Sequence, residues 1–141
     1  MTQEDKHLLL EDLCARLPYG VKCISGVDDA TLIIEGINPN CCGSAEVQVT
    51  YERSGINFDT TISAIKPYLF PLSSMTEEQK NNCPICETNL NIIKSNIGYG
   101  IIEIPWRLSY LFIDWCNKNH FDYRGLIPMG LALGATGLNI Y

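Results

Sequence analysis

The sequence predicts an α+β fold in which a helix near each end of the chain frames a small antiparallel sheet. Three observations predict it. Leucines recur at helical spacing near the N-terminus, polar and apolar residues alternate over residues 45–52, and apolar residues recur at helical spacing again over residues 108–115. The chain has 141 residues, of which 46% are hydrophobic and 18% are charged. This length and composition predict a single globular domain over residues 1–141.

The first helix is predicted over residues 3–17. Thr2 and Asp5 have the spacing of a capping box, in which each side chain binds the other residue's backbone amide. Pro18 and Gly20 are expected to end the helix. The leucines that recur three and four residues apart predict one apolar face, formed by Leu9, Leu10, Leu13 and Leu17.

Short strands separated by turn residues are predicted next, over residues 21–24, 31–37, 45–52 and 57–65. The third strand has the clearest pattern, because Ala45, Val47, Val49 and Tyr51 alternate with polar residues. Such alternation is typical of a strand with one face in solvent, as in an antiparallel sheet. Short strands in succession after one helix favour a small twisted sheet, of which an SH3-like half-barrel is one form.

Pro67 and Pro71 predict an irregular segment over residues 66–74, and a short helix is expected to begin near Thr76. Two more strands are predicted over residues 91–95 and 99–104.

A second amphipathic helix is predicted over residues 106–119. Its expected buried face consists of Leu108, Leu111, Phe112 and Trp115. The glycine-rich tail from Leu126 onward is expected to pack only in part.

Charge and hydropathy exclude several classes of partner. The net charge is −6 and the ten basic residues are scattered, so binding to nucleic acid is not expected. No stretch approaches the roughly 20 apolar residues that a membrane span needs, so no membrane partner is expected either. The polar N-terminus lacks the pattern of a secretory signal, which favours a cytoplasmic location.

Seven cysteines raise the question of a metal site. An odd number of cysteines in a reducing compartment argues against a disulfide framework. Cys83 and Cys86 have zinc-ligand spacing, and Cys116 and His120 lie four residues apart on a predicted helix. These four residues are therefore the candidate zinc ligands. The favoured interpretation is that the cysteines are small buried apolar residues and that no cofactor is bound. A redox pair at Cys83 and Cys86 is disfavoured because the predicted neighbouring elements do not form a βαβ unit.

The segment around residue 122 contains an acid, a base and a cation within a few residues. His120 could act as a general base oriented by Asp122, with Arg124 holding an anion. No nucleophile is identifiable, however, so no catalytic residue is assigned. The favoured interpretation is structural: Asp122 caps the next short helix, Arg124 pairs with an acidic residue, and the aromatic residues anchor the tail. Asp122, Tyr123 and Arg124 are the candidate binding residues.

Several segments resemble a family of small uncharacterised proteins of gut anaerobes and their phages or mobile elements. The segments are MTQEDK (1–6), LCARLPYGV (13–21), KPYL (66–69), SSMTEE (73–78), and DW with HFDYRGLI (114–127). The resemblance implies a phage or mobile-element setting and no particular activity. With no catalytic set identified, the expected function is that of a non-enzymatic cytoplasmic accessory protein that binds another protein. The alternatives are a zinc-stabilised binding module that uses Cys83, Cys86, Cys116 and His120 and, less favoured, a small hydrolase or transferase that uses His120 and Asp122.

Overall fold

The computed structural model describes residues 1–38, 45–84 and 106–141, with the side chains of 106–109 excepted. The predicted strands over residues 91–95 and 99–104 lie outside the described residues. The described part has an N-terminal helix, one mixed sheet and a C-terminal helix, so the predicted α+β class is confirmed.

Helix α1 spans Gln3–Arg16 and begins with the predicted capping box. The Thr2 hydroxyl accepts from the Asp5 amide at 3.1 Å, and the Asp5 carboxylate accepts from the Thr2 amide at 2.7 Å. These two bonds satisfy amide hydrogens that have no partner within the helix itself. A 3-10 turn over Leu17–Tyr19 follows, and Gly20 adopts a φ of +73°, which glycine tolerates best.

Among the described residues, seven strands form the sheet. They are β1 (Lys22–Ser25), β2 (Thr31–Asn38), β3 (Glu46–Tyr51), β4 (Asn57–Thr61), β5 (Ile65–Pro71), β6 (Phe121–Asp122) and β7 (Leu133–Gly134). Their order is β4-β3-β2-β1-β5-β6, and β7 also pairs with β5. The first five strands pair antiparallel, whereas β6 and β7 run parallel to β5. The predicted SH3-like arrangement is not confirmed.

One face of the sheet packs against α1. Its buried side chains alternate along the strands: Cys23, Leu32, Ile34, Val47 and Val49. Leu9 and Leu13 of α1 lie in the same cluster. The alternation predicted for β3 is confirmed, because Glu46 and Gln48 are exposed whereas Ala45, Val47 and Val49 are buried. Each buried leucine or valine contributes about 1.5–3 kcal/mol relative to an exposed one.

Residues 66–74 were predicted to be irregular, and for most of this segment the prediction is wrong. Strand β5 covers Ile65–Pro71 and pairs with β1, β6 and β7. Pro67 lies opposite Cys23 in the ladder with β1. A proline is compatible with a strand wherever the ladder does not use its amide hydrogen. The sequence shows the prolines but not which strands they face.

The C-terminal segment packs in part, as the sequence predicts. Leu126, Leu131 and Ala132 belong to the main core, and the Ala135 amide donates to the Leu69 carbonyl at 2.8 Å. Residues 128–130, 134, 136–139 and 141 are exposed. The buried residues and strand β7 join the tail to the sheet and its core.

In the part of the chain that the structure describes, two further helices follow β5. Helix α2 spans Glu77–Asn82 and begins near Thr76 as predicted, with a capping box between Thr76 and Gln79.

Helix α3 spans Trp106–Lys118, but its buried face differs from the prediction. Phe112 and Cys116 are buried, Trp115 is half-buried, and Leu111 is 42% exposed. Residues 112 and 116 lie on one line along the helix, and residues 111 and 115 lie on the adjacent line. The buried face predicted from the sequence was therefore displaced by about one residue from the observed one. Trp115 is partly covered because its ring stacks on that of Phe121, with ring centroids 5.3 Å apart. The Leu108 side chain lies outside the described part.

We predict that Phe112→Ala lowers the free energy of unfolding by about 3–5 kcal/mol, because it removes a buried aromatic ring and leaves a cavity. Leu111→Ala, on the exposed neighbouring line of the same helix, should change it by less than about 0.5 kcal/mol. Urea denaturation of the two variants measures both values. Equal losses would show that the buried face of α3 is assigned incorrectly.

Candidate functional site

The polar centre of the molecule is an ion pair inside the core. Asp12 and Arg16 lie four residues apart on α1, and both side chains are fully buried. The Arg16 Nε donates to one Asp12 carboxylate oxygen at 2.7 Å, and its Nη2 donates to the other at 3.0 Å. This bidentate geometry is the strongest form of an arginine–carboxylate contact.

Arg16 uses its remaining donors to hold the C-terminal part of the chain. Its Nη1 donates to the carbonyl of Cys116 at 3.2 Å, and its Nη2 donates to the carbonyl of Phe121 at 2.8 Å. Cys116 lies in the last turn of α3, where backbone carbonyls lack partners within the helix. One guanidinium therefore joins α1, α3 and β6.

A second arginine extends this network toward the surface. The Arg124 Nε lies 3.4 Å from an Asp12 carboxylate oxygen, and its Nη1 lies 3.5 Å from Glu11. The ring of Tyr123 has the Arg16 guanidinium 5.4 Å from its centroid and that of Arg124 at 5.2 Å. Tyr123 thus contacts both cations, which is a favourable arrangement for an aromatic face.

The Asp122 carboxylate forms hydrogen bonds with the backbone that follows it. Its two carboxylate oxygens accept from the amides of Leu126 and Ile127, both at 2.8 Å. These bonds organise a turn that brings Leu126 into the core. The predicted role of Arg124 as a partner for acidic residues agrees with its contacts. Asp122 caps the backbone that follows it, as predicted, but that backbone forms a turn and not the expected short helix.

The side chain of His120 is buried against Tyr141. Its ring stacks on Tyr141 at a centroid distance of 3.8 Å, and its backbone carbonyl accepts from the Phe70 amide at 2.8 Å. Its Nδ1 is buried and has no hydrogen-bond partner among the described residues. Burial, together with the smaller effect of the nearby Arg16 charge, lowers the pKa of His120 to about 4. No hydrogen bond joins His120 to Asp122 in the described part of the chain.

Three of the four predicted zinc ligands, Cys83, Cys116 and His120, lie among the described residues. Cys83 and Cys116 lie in a second buried cluster with Met75, Phe112 and Phe121. Burial raises the pKa of the Cys116 thiol, and the neighbouring Cys83 raises it further. Cys86 lies outside the described residues, so the tetrad stays a prediction. Among residues 1–38, 45–84 and 106–141, no group of three His, Cys, Asp or Glu side chains could hold a metal ion.

An apolar groove of about 500 Å³ lies beside Asp122. Pro71 and Leu72 form part of its lining, and Ile127 and Pro128 contribute from the turn that Asp122 organises. The groove places the candidate binding residue Asp122 at a concave surface, whereas Tyr123 and Arg124 are used in the contacts with α1.

Sequence reasoning missed Asp12 and Arg16. The signal was present, since Leu9, Asp12, Leu13 and Arg16 follow the spacing of a single helix face. An acid and a base four residues apart on an otherwise apolar face indicate a buried pair, because neither would be placed there alone.

Comparison of the chain with protein-family models, curated proteins and solved structures found no match. Within the described residues, no helix has the length and apolar character needed to cross a membrane.

We predict that Arg16→Met lowers the free energy of unfolding by about 3–5 kcal/mol, because it leaves the buried Asp12 carboxylate without its main partner. The double variant Asp12→Leu with Arg16→Met should recover much of this loss, since it removes both buried charges. Arg124→Met, at a side chain 26% exposed, is the control and should cost less than Arg16→Met. Urea denaturation of the set measures the coupling. A double variant that loses the sum of both single losses would contradict the pairing.

We predict that stability falls as the pH falls from about 6.5 toward 4. In this window the unfolded chain protonates His120 whereas the folded chain keeps it neutral, so the unfolded state binds more protons. One proton gives a slope of at most about 1.4 kcal/mol per pH unit. Urea denaturation at about pH 7 and about pH 5 measures it.

Two variants isolate the histidine responsible. His120→Asn should flatten the dependence, because asparagine tolerates the φ of +57° at this position and does not titrate. His7→Asn, at the only other histidine of the chain, should leave the slope unchanged. The assignment is wrong if the slope persists in His120→Asn.

Proposed function

We propose that the protein is a non-enzymatic accessory protein that acts by binding an extended segment of another protein at the free edge of its sheet. A cytoplasmic setting and the phage or mobile-element association implied by the sequence resemblance are part of this proposal. The observation that carries it is strand β4, which lies at one end of the strand order and pairs only with β3 among the described strands.

The polar residues that resemble a catalytic set have structural contacts instead. Asp122 accepts from two backbone amides, Arg124 contacts Glu11 and Asp12, and the ring of His120 is buried against Tyr141. The Asp122 oxygens and the Arg124 guanidinium are thus engaged, and His120 has little access to solvent. These contacts favour a binding role over the hydrolase or transferase alternative.

The hydrogen-bond pattern identifies which backbone groups β4 leaves open. In an antiparallel ladder, residues alternate between pairs that exchange hydrogen bonds and pairs that do not. The Tyr51 amide donates to Ile56, and the Ile62 amide donates to Ala45. These two bonds fix the alternation, so the backbone groups of Asn57, Asp59 and Thr61 point away from β3.

Strand β4 has no proline, lysine or register shift of the kind that blocks an edge, and its one charged side chain is the exposed Asp59. At the opposite end of the sheet, β6 has only two residues. An outward row of amides and carbonyls matches the backbone of an added strand, which is a recurrent mode of peptide recognition.

We predict that Asp59→Pro abolishes partner binding while leaving the fold intact. The substitution removes an amide hydrogen that points away from β3, so the ladder with β3 loses no bond, whereas an added strand loses a donor and meets the ring. Gln3→Pro is the matched control, because proline is tolerated at the first position of α1. Thermal denaturation tests whether both variants are folded. If Asp59→Pro is unfolded, Asp59→Lys is used in its place.

The wild-type protein and both variants are used to capture partners from the native host, and the recovered partner is then purified. The wild type and Gln3→Pro should bind it and Asp59→Pro should not. Hydrogen exchange at Asn57, Asp59 and Thr61 should slow in the wild-type complex. A partner that binds Asp59→Pro as tightly as the wild type, without protecting these amides, would refute the edge as the binding surface.

A further inference from the structure

We infer that the segment bound by β4 is basic, with a lysine or arginine placed opposite Asp59 and apolar residues on the alternate positions. This inference rests on the proposed function and specifies its partner. It follows from the different character of the two faces at the edge of the sheet.

The solvent face of the edge is acidic. Asp59 is exposed on β4 opposite Gln48 of β3, and Glu46 is exposed on β3 opposite Thr61. Neither carboxylate forms an ion pair within the described residues. Lys22, on the far side of β2, already contacts Glu52 and the carbonyl of Ile140. The two carboxylates are therefore available to a cation from a partner.

A shallow groove gives a long side chain room on this face. It has a volume of about 300 Å³, and its lining includes Gly36, Glu46, Gln48 and Asp59. Gly36 has no side chain to fill the space beside Gln48, and a Cβ there would meet the Gln48 Oε1 at 3.5 Å. An added strand lies about 4.8 Å from β4, so a lysine or arginine on it can reach Asp59 and extend toward Glu46.

The core-side face of the edge is apolar. Phe58 is partly buried and packs on Tyr51, with ring centroids 4.9 Å apart. Side chains alternate along an added strand, so the residues that flank the basic one point toward Phe58. Valine, isoleucine or threonine fits this position, because branched side chains pack well against a strand surface.

A second copy of this chain is a poor occupant of the same edge. Two-fold antiparallel pairing centred on the middle of β4 places Asp59 opposite its own equivalent. Like charges directly opposite each other in a sheet are destabilising, and each copy carries a net charge of −6. The charge distribution therefore favours a basic segment of a different protein.

Capped synthetic peptides test this inference on the full chain. One peptide alternates valine with lysine, a second alternates valine with glutamate, and a third interrupts the first with proline. Amide NMR and hydrogen exchange report on Asn57, Asp59 and Thr61, whose amides should exchange rapidly in the free protein. The lysine peptide should protect these amides, and the other two should not.

Asp59→Asn supplies the charge control, because it keeps the shape of the side chain. It should weaken binding of the lysine peptide by about two- to fivefold at low salt, the range for an exposed ion pair. Glu4→Gln, with the same change in net charge on α1, should leave the affinity unchanged. Equal effects of Asp59→Asn and Glu4→Gln would overturn the local role of Asp59.

The outcomes separate the two proposals. If the lysine and glutamate peptides protect β4 equally, the basic preference is wrong and edge binding stands. If neither peptide protects these amides, both proposals fail. If the three amides already exchange slowly in the free protein at every concentration, another part of this chain covers the edge and both proposals fail. Slow exchange that appears only at high protein concentration identifies a second copy as the occupant and overturns them as well.

Discussion

The fold depends on a guanidinium buried at the junction of three elements. Removing a charged group from water costs several kcal/mol, and only close partners offset this cost. Arg16 has four such contacts, two with Asp12 and two with the carbonyls of Cys116 and Phe121. An apolar side chain would tolerate many placements of the C-terminal segment, whereas the guanidinium accepts only one that satisfies its donors. The pair therefore specifies where α3 and β6 meet α1.

As a consequence, the polar side chains of the C-terminal segment form structural contacts within the fold. Tyr123 lies against both arginines, Arg124 reaches Asp12, and Asp122 organises the turn that returns the chain to the core. Two segments that stand out in the sequence, LCARLPYGV and HFDYRGLI, thus meet in space through Arg16 and Phe121. These contacts leave the free edge of the sheet open, and it is this edge that carries the proposed function.

Local features of the fold could be predicted from the sequence and long-range ones could not. Helix α1 is visible because its capping residues and leucines act within a few positions, and β3 is visible because alternation is a property of the strand itself. Strand β5 was missed because the effect of Pro67 depends on which neighbour it faces. The buried line of α3 was misplaced at Leu111 for the same reason, since Phe121 decides which side is covered. The structural roles of Asp122 and Arg124 were predictable in kind, but the donors and carboxylates that they meet were not. Nothing in the local pattern of residues 57–61 indicates an edge, because position within a sheet is a property of the whole topology.

The parallel pairing of β6 and β7 with β5 has a consequence for the order of events during synthesis. Strands β1 to β5 are all present once residue 71 has left the ribosome. The other two strands of the sheet, β6 and β7, lie at residues 121 and beyond. Arg16 must wait for a carbonyl that is 105 residues away along the chain. Before residue 116 is made, Asp12 is the only one of the hydrogen-bond partners described for Arg16 that is present. The nascent half-protein therefore cannot complete its core, and the chain becomes committed to its native state only when its final third has been made.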